Sequence, residues 1–167
     1  MNKLIFALLL AFPFLAFAEA YSGNVVGISD GDTITVLDNE KTQHKVRLAG
    51  IDAPEKAQAF GNVSKQHLAN LVFRKQVTIE FVKFDRYHRE IGKVIVDGLD
   101  ANLEQVKAGL AWHYKQYARD QPVSDRKIYS DAEANASAQQ LGLWRDANPT
   151  PPWDFRKSKR GGWAVFQ

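Results

Sequence analysis

The sequence predicts an α+β domain built on a five-stranded OB-type β-barrel with about three helices. Three observations lead there: five short β-rich runs parted by turn residues, one helical stretch inserted after the third run, and only helical spacing further downstream. Five short antiparallel strands commonly curl into a small barrel rather than stay flat with one face exposed. The scale fits, because 167 residues at 45% hydrophobic and 25% charged make one soluble domain of roughly 100–200 residues. Collagen-like, low-complexity and multi-pass membrane chains are excluded. With no cysteine in the chain, so are disulfide scaffolds, iron–sulfur clusters, thiolate zinc sites and cysteine nucleophiles.

Taken in order, residues 1–18 stand apart from the domain. Lys3 precedes an apolar run over 4–17, broken only by Pro13, and Ala16-Phe17-Ala18 offers a small-x-small cleavage pattern. This reads as a bacterial signal peptide cut near Ala18, for a secreted or periplasmic protein. The run is short of the roughly 20 residues a membrane anchor needs. Residues 19–144 form the expected domain. Its strands are 25–28, 33–37 and 45–51, a meander turned at Asp30-Gly31 and Asp38-Asn39, then 77–82 and 91–96. Between the two sets, Leu68, Leu71 and Val72 predict a helix over 62–73. Leu103, Val106 and Leu110 predict a second, capped by Asp100 or Asn102 and stopped at Gly109. A third follows Ser124 or Asp125 as cap, stacks Ile128, Ala132 and Ala136, and stops before Gly142. Residues 145–167 are a tail that Pro149, Pro151 and Pro152 predict to be extended, with Trp153 and Trp163 docking it on the body.

Charge says little about partners by itself. Without residues 1–18 the chain carries 21 basic and 19 acidic side chains, and the tail holds five of the basic against two of the acidic. The body is thus near neutral, so any phosphate recognition must be local.

Local candidates lie at the strand ends. Asp30-Gly31-Asp32-Thr33, the stretch 45–55 and Asp85-Arg86-Tyr87-His88-Arg89 concentrate acids and arginines. Taken singly, Asp-Gly-Asp is a hairpin turn, Arg47 a cross-strand partner of Asp32, and Arg89 a solvated hairpin residue. Taken together they mean more. Asp32, Asp52 and Glu55 resist ionising side by side unless a cation neutralises them, and a hard divalent ion takes such oxygen ligands. Two arginines offer planar forks that match phosphate oxygens. Acids and arginines share a phosphate site sensibly when a metal bridges them. An EF-hand is excluded, since the loop from Asp30 has Thr35 at its sixth place and Lys41 at its twelfth. His44, His67 and His113 read as surface or core residues.

With Gly109-Leu110-Ala111-Trp112, Ala132-Glu133-Ala134 and Gly142-Leu143-Trp144 in the same order, these stretches resemble the staphylococcal nuclease family over nearly all of 21–144. The resemblance implies an OB-fold and calcium-dependent hydrolysis of DNA and RNA to 5′-hydroxyl and 3′-phosphate ends. It implies Asp32 and Asp52 as Ca2+ ligands, with Ala53, often Thr in the family, binding through its backbone carbonyl. Glu55 would act on the attacking water, and Arg47 and Arg89 would hold the scissile phosphate. Tyr114 or Tyr117 would match the tyrosines that contact base and phosphate. His88 stands where the family has Gly, so a reshaped hairpin is expected there. A small barrel mouth with aromatic flanks favours single strands or frayed duplexes; a monomer free of membrane after leader removal is expected. The rival is an inactive nuclease-like OB-fold module that only binds nucleic acid, which presence of the whole acid–arginine set disfavours. An OB-fold for oligosaccharide or protein explains the barrel but not that set.

Overall fold

The computed structural model describes residues 20–163, with side chains through Arg160. The expected leader over 1–18 and the expected docking of Trp163 lie outside what is described. Three strands form the meander, β1 (Ala20–Asp30), β2 (Thr33–Asp38) and β3 (Gln43–Leu48). β1 is longer than predicted: residues 20–24 pair with β5 (Gln76–Phe84) and residues 23–30 with β2, so 23 and 24 serve both neighbours. Polar Ser22 and Asn24 hide that half from a hydrophobic pattern. Gly23 permits the double pairing, since a Cβ there would stand 2.6 Å from the Leu37 carbonyl oxygen.

The predicted third strand breaks in two. After Leu48 the chain turns at Gly50, whose φ of 74° suits glycine, and resumes as the short β4 (Ile51–Asp52), paired with β8 (Trp112–His113). Next come α1 (Gly61–Val72), β5, β6 (Glu90–Val96) and β7 (Leu99–Asp100). The sheet runs β3-β2-β1-β5-β6-β7, and β6 also pairs with β3 in parallel, Arg47 facing Ile91. That pairing closes a five-stranded mixed barrel around Val25, Ile34, Val46, Leu48, Ile79 and Val94. The OB-type α+β expectation holds.

α2 (Ala101–Lys107) is capped as predicted, the Asp100 carboxylate accepting from the Leu103 N–H at 3.1 Å, and Gly109 at φ 65° follows its end. α3 (Val123–Ala138) corrects two expectations. It begins after Pro122, and neither Ser124 nor Asp125 caps it. Its buried stripe is Tyr129, Ala132, Glu133 and Ala136, while Ile128 is 48% exposed. A stripe spaced i, i+3, i+4, i+7 follows the helix, whereas i, i+4, i+8 drifts off it.

The tail is also corrected. α4 (Pro152–Trp163) is a helix rather than an extended segment. Proline at the first helical position loses no hydrogen bond and arrives with its φ already set. The Pro151 carbonyl accepts from Asp154 and Phe155 at 3.1 and 3.0 Å. Trp153 docks as expected, its ring stacked on Tyr114 at 5.3 Å and edge-on to Trp112 at 5.6 Å. Among the described residues no helix is long and apolar enough to cross a membrane.

Candidate active site

A cleft of about 590 Å³ opens where the β1–β2 turn, β4 and the β5–β6 hairpin meet, and Asp32, Arg47, Asp52, Ala53, Glu55, Arg89, Tyr114 and Tyr117 all line it. Asp32 sits in the β1–β2 turn. Its N–H donates to Asp30 Oδ1 at 3.1 Å, Thr33 Oγ1 donates to its Oδ1 at 3.0 Å, and the Ala53 N–H donates to its Oδ2 at 2.8 Å. One carboxylate therefore stitches the turn to the end of β4. Gly31 makes this possible, because a Cβ there would stand 1.9 Å from Ser64 Oγ on α1.

Beneath the turn lies a residue that sequence reasoning missed. Gln105 of α2, wholly buried, donates from Nε2 to the Gly31 carbonyl at 2.6 Å and the Ser64 carbonyl at 3.1 Å. Its Oε1 meets His67 Nδ1 at 2.5 Å. Asn102, one turn earlier, accepts from the Val94 N–H and donates to the Ala49 and Gly92 carbonyls, tying the barrel seam beside Arg47. The only sequence signal was a polar pair on an apolar helix face.

Arg47 projects from β3 between two buried acids. Its Nη1 lies 3.2 Å from Asp32 Oδ2 and donates to the Ile51 carbonyl at 3.1 Å; its Nη2 donates to Asp52 Oδ1 at 2.8 Å. Burial alone would ease its proton off, but Asp32, Asp52 and Asp30 hold the guanidinium above its ordinary pKa. Asp52 is 1% exposed, and burial raises its pKa against the downward pull of Arg156 and Arg47. Asp30, not assigned from sequence, is pushed up to about 6 by burial and by the charge of Asp32. Asp30 and Asp52 thus each feel the charge of Asp32.

Glu55 follows Pro54 on the loop into α1. Its N–H donates to Gln58 Oε1 at 3.2 Å, and its carbonyl lies so near Gly61 that a Cβ there would come within 2.0 Å. Its carboxylate accepts from Arg156 Nη1 at 2.7 Å. Arg156 is another residue that the sequence did not reveal, being carried in by α4 from far along the chain.

Arg89 shares the cleft but not this network. It is held by Asp85, whose Oδ1 accepts the Tyr87 and Arg89 N–H groups at 2.8 and 2.9 Å and whose Oδ2 accepts Arg89 Nε at 2.8 Å. Burial raises Asp85, yet these bonds leave it below the usual carboxylate range. His88 adopts φ 58° between them, so it occupies the left-handed conformation that glycine would take. Tyr114 and Tyr117 also line the cleft and meet edge-to-face at 4.9 Å. His44, His67 and His113 do not line the cleft.

Residues 45–146 match the family described as staphylococcal nuclease homologue. The chain belongs to the staphylococcal nuclease family. Several curated relatives resemble it over most of their own length. A Haemophilus influenzae protein named "Uncharacterized endonuclease" is 45% identical over 94% of this chain and 86% of its own. An Escherichia coli O157:H7 protein of the same name is 39% identical over 95% of this chain and 100% of its own. A Shigella flexneri protein named "Micrococcal nuclease" is 40% identical over 84% of this chain and 83% of its own.

Staphylococcal nuclease family members generally depend on calcium, and the donor chemistry here fits a hard divalent cation. Among the described residues no group of three acids or histidines stands ready around a common point. Asp30, Asp32 and Asp52 nonetheless line one cleft with oxygen donors alone. Two guanidiniums, of Arg47 and Arg156, stand in as the cations that Asp52 requires.

Proposed function

We propose that this chain is an exported, calcium-dependent endonuclease that hydrolyses DNA and RNA to 5′-hydroxyl and 3′-phosphate ends. The observation that supports it most is the placement of Arg47 against both Asp32 and Asp52, with Glu55, Arg89, Tyr114 and Tyr117 on the same cleft. Family membership and relatives named as endonucleases support nuclease activity; the apolar run over 4–17 supports export.

In this reading Asp32, Asp52 and the Ala53 carbonyl would hold Ca2+, which supplies fixed positive charge to the phosphoryl oxygens. Arg47 and Arg89 clamp the scissile phosphate from two walls with planar forks. Glu55 orients a water and takes its proton while the water oxygen attacks phosphorus. The bond from phosphorus to the 5′ oxygen breaks with its electron pair going to that oxygen, which takes a proton from solvent water and leaves as a hydroxyl, and phosphate stays on the 3′ side. Tyr117, 42% exposed, offers its ring to unstacked bases, and Tyr114 adds a second where Trp153 does not cover it, which favours single strands and frayed ends. The enzyme works as a monomer.

The test uses purified protein from residue 19, a labelled single-stranded oligonucleotide, and calcium or chelator. Cleavage with calcium alone, leaving 3′-phosphate ends, is expected. Glu55→Gln should still bind the oligonucleotide while cleaving it about 10²–10⁴-fold more slowly. Binding without cleavage by wild type would instead favour the binding-module reading.

A further inference from the structure

α4 lies wholly beyond the family match, which ends at residue 146, yet it reaches the centre of the cleft. Its entry is fixed by buried Pro152 and by Gln58 Nε2, which donates to the Thr150 carbonyl at 2.5 Å. Trp153 then lies flat on Tyr114, the two rings within 4° of parallel. Three residues on, and so on the same helix face, Arg156 donates from Nη2 to Asp52 Oδ2 at 2.8 Å and from Nη1 to Asp52 Oδ1 at 3.2 Å and Glu55 Oε1 at 2.7 Å.

A surface ion pair contributes little, but Asp52 is buried and this contact is bidentate. Two guanidiniums bridge the carboxylates of this part of the cleft, Arg47 between Asp32 and Asp52 and Arg156 between Asp52 and Glu55. Arg47 comes from the barrel wall. Arg156 comes from an appended helix with a half-exposed side chain, so it is the cation free to leave.

We propose that Arg156 is a tethered competitor for the divalent cation, and that α4 is a latch which sets the calcium affinity of the site. The inference rests on the calcium reading above. A divalent ion on Asp52 takes oxygens that Arg156 now holds, and two cations sharing those oxygens repel each other. Binding therefore requires α4 to lift, and lifting also uncovers the face of Tyr114 beneath Trp153. Apparent affinity scales with the fraction of molecules whose latch is open. A helix seated nine times in ten weakens calcium binding about tenfold.

Calorimetric titration of calcium into wild type, Arg156→Gln, Arg156→Lys and Lys157→Gln tests this, with hydrogen exchange of α4 followed with and without calcium. Arg156→Gln is expected to bind calcium about tenfold or more tightly than wild type. Arg156→Lys, which keeps charge but loses the fork, should fall between them, and Lys157→Gln should match wild type. Calcium should speed exchange along α4 in wild type. If Arg156→Gln binds no tighter, or α4 keeps full protection at saturating calcium, the latch is overturned and the calcium reading stands. If neither wild type nor Arg156→Gln takes up calcium, both fall together. Should Arg156→Gln fail to melt cooperatively, Arg156→Lys and the exchange data carry the same decision.

Discussion

Arg47 and Arg89 have the same proposed role but different surroundings, and lysine substitution separates the two. Each variant is expected to lose at least about a hundredfold in turnover on a single-stranded oligonucleotide, because an ammonium lacks the planar two-nitrogen fork that matches two phosphate oxygens. Arg89→Lys should melt like wild type, since its partner is Asp85 on the same hairpin. Arg47→Lys should also lose about 1–3 kcal/mol in denaturant titration, since a single ammonium nitrogen cannot take the separate places from which Nη1 and Nη2 reach Asp32, Asp52 and the Ile51 carbonyl. Wild-type turnover in either would reduce that arginine to a point charge. His44 gives a different test. It lies between Asp38 at 2.9 Å and Glu90 at 2.7 Å, under the ring of Tyr21, which itself donates to Glu90. Burial lowers its pKa, but the bonds to Asp38 and Glu90 win and raise it above the ordinary value. A histidine raised on folding stabilises fully below its unfolded pKa of about 6.5 and loses that contribution as pH climbs through the folded value. His44→Gln should flatten the fall in melting temperature above pH 6.5; an unchanged profile would place that fall elsewhere. The acids and arginines were legible because each sits in a short motif at a strand end. Asp30 and Arg156 were not: one was hidden in a turn dipeptide, the other brought in by tertiary packing alone.

Helices carry the site from behind. α2 presents Asn102 and Gln105 on its buried face, and the second holds the turn that bears Asp32. Gln105→Leu keeps the volume but leaves the Gly31 and Ser64 carbonyls and His67 without their partner, so a loss of about 1–3 kcal/mol is expected. Turnover should drop as well, while oligonucleotide binding through the arginines persists. A variant as stable and active as wild type would show that the turn holds itself. Helix existence was readable from spacing, and the Asp100 cap and Gly109 stop were placed correctly. Faces and starts were less so. Tyr129 takes the buried place expected for Ile128 because its hydroxyl finds Asp100 Oδ2 at 2.8 Å. The proline run before α4 looked like a breaker, although proline breaks helices only past their first turn.

At the scale of the molecule, the barrel was legible from five runs and one inserted helix, but its seam was not. Nothing in a hydrophobic pattern announces that β3 and β6 lie parallel, or that β1 serves two partners. That seam has a kinetic meaning. β1, β2 and β3 are hairpin neighbours and pair locally, whereas Val46 must find Glu90 and Leu48 must find Gly92 across the intervening helix and strand. Contacts so distant in sequence form late, after their loop entropy has been met. Arg47 lies on one edge of the seam and Arg89 borders the other, so the proposed clamp on the phosphate would assemble only once those edges have met. In that reading a nascent or half-folded chain would carry no working scissors.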